Sequence, residues 1–93
     1  MSNFHISAED HQLMLRAVDA LRRMNPPEYL DARLVQLRRR IESRLPHFSD
    51  GDLRNICLGL EVMLRDNPLD WKAETLLRRL NSFLDNHPDN APG

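Results

Sequence analysis

Apolar side chains recur at intervals of three and four residues through four stretches of the chain, and no stretch alternates as a strand would. The pattern predicts an all-α fold. The first helix is expected over residues 8–24, with Met14, Ala17, Val18 and Leu21 inward, Ser7 as N-cap and Asp10 three residues on, facing the free amides of the first turn. In the second, over 26–45, Leu30, Leu34, Leu37, Ile41 and Leu45 face inward, Asn25 caps and Pro26 takes the first helical position. Pro46 stops that pattern, and Ser49 with Asp52 repeats the arrangement of Ser7 with Asp10. The third helix, over 50–66, presents Leu53, Ile56, Cys57, Leu60 and Leu64. The fourth, over 68–85 with Asn67 as cap, presents Leu69, Ala73, Leu76, Leu77, Leu80, Phe83 and Leu84, and a polar tail occupies 86–93.

A shift of 42 residues lays the first pair of helices on the second: Ser7 falls on Ser49, Asp10 on Asp52, Val18 on Leu60, Asn25-Pro26 on Asn67-Pro68 and Tyr29 on Trp71. Caps and core positions match together, which points to a tandem repeat of two related helix hairpins. The spacing lies in the range of HEAT-type helical repeats, but such arrays need about three units to bury their faces. Two units instead close into a four-helix bundle, or complete their core with a second chain.

The 93 residues suit one domain, and 41% hydrophobic with 29% charged residues is the balance of a globular chain. Net charge is −1, so no overall field draws the protein to nucleic acid or lipid. The opening residues lack a basic segment followed by an apolar one, and no apolar run approaches a membrane span, so a cytoplasmic location is expected.

Enzyme signals are absent from the pattern. His5, His11, His47 and His87 are scattered, Cys57 lies within an inward stripe as a buried inert thiol, no spacing suits a metal or cofactor, and no small-molecule substrate is evident. Three features point outward instead. Arg33, Arg40 and Arg44 form a narrow band beside the core stripe of the second helix, read first as a solvated face and otherwise as a contact for an acidic partner. Leu58 and Val62 make the third helix apolar on a second side, either as scattered surface residues or as a partner contact. Gly59 beside them sits mid-helix, where glycine is tolerated if another backbone comes close. Trp71 points away from the core stripe of its helix, to be buried under the preceding corner or exposed as a binding anchor. Together these features imply a non-catalytic module that binds a protein partner or a second copy of itself, with nucleic-acid binding through the Arg band as the alternative.

Overall fold

The computed structural model describes residues 6–43 and 48–86, and in them the chain forms four helices: α1 (Ala8–Arg22), α2 (Glu28–Glu42), α3 (Asp50–Asp66) and α4 (Trp71–Asn86). The architecture is the expected all-α bundle. Leu45 and the tail residues 87–93 lie outside the described residues. α1 packs on both α2 and α3, and α4 packs on α3, so the first helix of each hairpin is central and the second flanks it. One core joins them, built from Met14, Val18, Leu34, Leu37, Ile41, Ile56, Leu60, Leu76 and Leu80.

The closest approach in that core is between backbones. A Cβ placed on Gly59 would lie 2.1 Å from the carbonyl oxygen of Ala17, so any side chain there would force α1 and α3 apart. Ala17 and Ala20 are buried on the α1 side. Small residues on both helices therefore set the spacing of the central pair. The backbone that the mid-helix glycine accommodates belongs to this chain and not to a partner.

Both serine caps form as the sequence indicates. The Asp10 amide donates to Ser7 Oγ at 3.1 Å while the Ser7 amide donates to Asp10 Oδ2 at 3.2 Å. Ser49 and Asp52 repeat this at 3.0 and 3.1 Å. Each box satisfies two backbone donors that a helix start would otherwise leave open.

The Asn-Pro corners depart from expectation. Asn25 does not cap α2: it takes a left-handed conformation (φ 55) at the end of α1, where its amide donates to Arg22 O. Pro26 does not open the helix either, because Pro27 follows it, and a residue before proline is held out of the helical region by the proline ring. Helix α2 therefore starts at Glu28, with Pro27 in the cap position and no side-chain cap. At the second corner Asn67 closes α3, and its Oδ1 accepts from the Leu69 amide at 3.3 Å within a turn. Asp70 is the residue that caps α4, accepting from the Ala73 amide at 3.1 Å. The helix thus begins three residues later than Pro68. Leu69 falls in the turn, 87% exposed rather than in the core. The matched Asn-Pro pairs are therefore built differently, and the 42-residue correspondence does not extend through the corners.

Gly59→Ala should gain about 1 kcal/mol in helix propensity yet lose more through overpacking against the α1 backbone, for a net destabilisation of about 2 kcal/mol. Thermal unfolding followed by circular dichroism checks this, with a fall in Tm of roughly 10 °C expected for a domain of this size.

Candidate interaction surface

Each capping carboxylate also reaches across the bundle. Asp10 Oδ2, already bound by Ser7, accepts a second hydrogen bond at 2.9 Å from Arg79 of α4. Asp52 Oδ2, bound by Ser49, accepts likewise from Arg40 of α2. The start of each central helix is thereby tied to the flanking helix of the other hairpin. Within the first hairpin, Arg22 meets Asp31 and Arg38 meets Asp19, both at 2.9 Å, and His11 Nε2 donates to the carbonyl of Ile41 at the end of α2. Burial alone would raise the pKa of Asp10, but the Arg79 guanidinium and the hydrogen bonds from Ser7 outweigh it and hold the carboxyl below its ordinary value.

These ties change the reading of the Arg band. Arg40 is occupied by Asp52, so an acidic group does interrupt the band, supplied from α3 rather than from α2 itself. Arg33 is exposed and Arg44 lies outside the described residues. Tertiary packing thus gives the middle member of the band, Arg40, an acidic neighbour on α3.

The apolar candidates fare differently. Leu58 is 48% exposed, near the centre of the outer side of α3. Val62 on the same side is half-buried. Trp71 opens α4 and is 66% exposed, with Lys72 Nζ 5.6 Å from its ring centroid and the Lys72 ammonium paired with Glu9 of α1. Burial of Trp71 under the corner therefore does not occur, since the turn that precedes it carries its own apolar residue, Leu69, outward. Tyr29, at the matching place on α2, is 73% exposed. Met24 is exposed at the first corner and adds to this set. Pro68 suits a helix start, and periodicity counted from it draws Leu69 into the core stripe; Asp70, a strong N-cap residue directly before Trp71, is the signal in the sequence that places Leu69 outside.

Cys57 is buried on α3, and desolvation, with a smaller contribution from Glu61, pushes its thiol up to about 11. Such a thiol is almost wholly protonated at neutral pH and makes a poor nucleophile. His11 serves α2 as described, while His5, His47 and His87 lie outside the described residues. Among the described residues no group of three or more His, Cys, Asp and Glu side chains is arranged to hold a metal ion, and no helix is long and apolar enough to cross a membrane. The chain matches no protein-family model, and neither the curated proteins nor the solved structures contain a match to it.

Asp10→Asn should cost about 1–2 kcal/mol at neutral pH by weakening a charge-assisted bond. Because the folded-state pKa lies below the ordinary value of 3.8, the contribution of the charged form is present above that pH and is lost as pH falls below it. Urea unfolding of both proteins from pH 7 down to pH 2 should show the gap narrowing in the acid range. Cys57 should resist Ellman's reagent in native buffer at pH 8 and react at once in denaturant.

Proposed function

We propose that the protein is a non-catalytic interaction module that presents the outer side of α3 and the apolar corners of the bundle to another protein molecule. The observation that carries this reading is the exposure of Leu58, Leu69, Trp71 and Tyr29 beside a core formed by other side chains of the same helices. Exposed aromatic side chains are favoured anchors at protein interfaces, because they bury a large area for the loss of few rotamers. Trp71 fits that role, standing at the first turn of a helix with a cation beside its ring. Arg33, exposed on α2, adds a charge that would favour an acidic partner surface.

The test is site-specific photo-crosslinking in cells that naturally express the protein, with a benzophenone amino acid placed at positions 29, 58, 69 and 71 in turn. Adducts with protein, whether another chain or a second copy, are expected at one or more of these positions and not at the polar position Arg16. Trp71→Ala or Leu58→Glu should reduce adduct yield at least several-fold while the far-ultraviolet circular dichroism stays unchanged. A lack of protein adducts at all four positions would overturn the proposal.

A further inference from the structure

The outer side of α3 carries charge as well as Leu58. Arg54 and Glu61 are both exposed, and neither makes an ion pair among the described residues. They are seven residues apart, so at about 100° per residue they fall within about 20° of each other on one stripe of the helix, separated by about 10.5 Å of rise. Leu58 lies beside that stripe, within half a residue of the midpoint between them. Asp50 and Arg65 share the same midpoint one turn further out, again with opposite charges. Read along α3 from either end with the signs reversed, the stripe is the same.

That symmetry selects an occupant. Two copies of α3 laid antiparallel about a two-fold axis at that midpoint, between Cys57 and Leu58, would set Arg54 of each against Glu61 of the other, with the two Leu58 side chains flanking the axis. A parallel arrangement would instead oppose Arg54 with Arg54 and Glu61 with Glu61. An interface of this kind is self-complementary, the form by which most homodimers close. Gly51, on the same side, is exposed.

We infer that the outer face of α3 is a docking site for a second copy of this chain, bound antiparallel and registered by reciprocal Arg54–Glu61 pairs around Leu58. The inference rests on the proposed role of α3 as an interaction surface and narrows it to one partner.

Sedimentation equilibrium of the full chain, from micromolar to millimolar, reads the association directly, with circular dichroism confirming that each variant is folded. The natural chain should form a dimer that weakens as salt is raised. Arg54→Glu alone and Glu61→Arg alone each convert both pairs to repulsions and should lower the association constant about tenfold or more. An equimolar mixture of the two single variants should recover association, because in the mixed dimer each pair again joins an acid to a base. The double exchange Arg54→Glu with Glu61→Arg should recover it as well. A natural chain that stays monomeric at millimolar concentration would overturn the inference, as would single variants that associate as well as the natural chain, or a mixture without recovery. Monomeric behaviour together with crosslinks to a different protein would sink this inference while leaving the proposed interaction function standing.

Discussion

The contact between Gly59 and the backbone of Ala17 fixes the rest of the bundle. Two helices approach this closely only where neither places a side chain between them, and the 2.1 Å that a Cβ would leave shows how little room remains. With α1 and α3 held at that spacing, the larger residues Met14, Val18, Ile56 and Leu60 pack around the crossing, and α2 and α4 are left to cover its flanks. Shape decides here more than hydrophobicity does. Alanine at residue 59 would bury more apolar surface and improve helix propensity, yet would separate the two layers on which that burial depends.

Around the crossing, the polar groups are arranged so that local and long-range structure reinforce each other. Asp10 and Asp52 each complete a capping box and then accept from an arginine of the opposite hairpin. A capping box by itself contributes about 1 kcal/mol, and an exposed ion pair contributes less. Joined on one carboxylate oxygen that is largely shielded from water, they form a network whose members orient one another. Hairpin-to-hairpin docking thereby becomes linked to helix initiation: the bundle start that is correctly capped is also the one that is correctly docked. His11 adds a further tie by donating to the end of α2, where carbonyls lack helical partners.

Outside this framework stands a set of exposed apolar and charged side chains. Leu58 on α3, Leu69 and Trp71 at the second corner and Tyr29 at the first are exposed. Single exposed apolar residues are common. Arg54 and Glu61, both exposed, flank Leu58 on the same helix.

Much of the fold is legible in the sequence because periodicity and capping are local properties. The inward stripes of Met14, Leu34, Ile56 and Leu76 follow from a 3.6-residue period, and the Ser7–Asp10 and Ser49–Asp52 boxes from a spacing of three. The corners mislead because local rules compete there: a proline suits a helix start, but Pro27 disfavours helical geometry at Pro26, and Asn67 and Asp70 are cap residues of similar strength, of which Asp70 takes the cap of α4 while Asn67 holds the turn. Only the tertiary structure decided which charges remain available. Arg40 and Arg33 look alike along α2, yet Arg40 is drawn to Asp52 on another helix, a pairing set by how the hairpins cross and not by any periodicity within α2. The sequence thus determined the helices, their core faces and their serine caps. The helix crossing determined the partners of Arg40 and Arg79 and which apolar side chains face water, because these depend on distances between residues far apart along the chain.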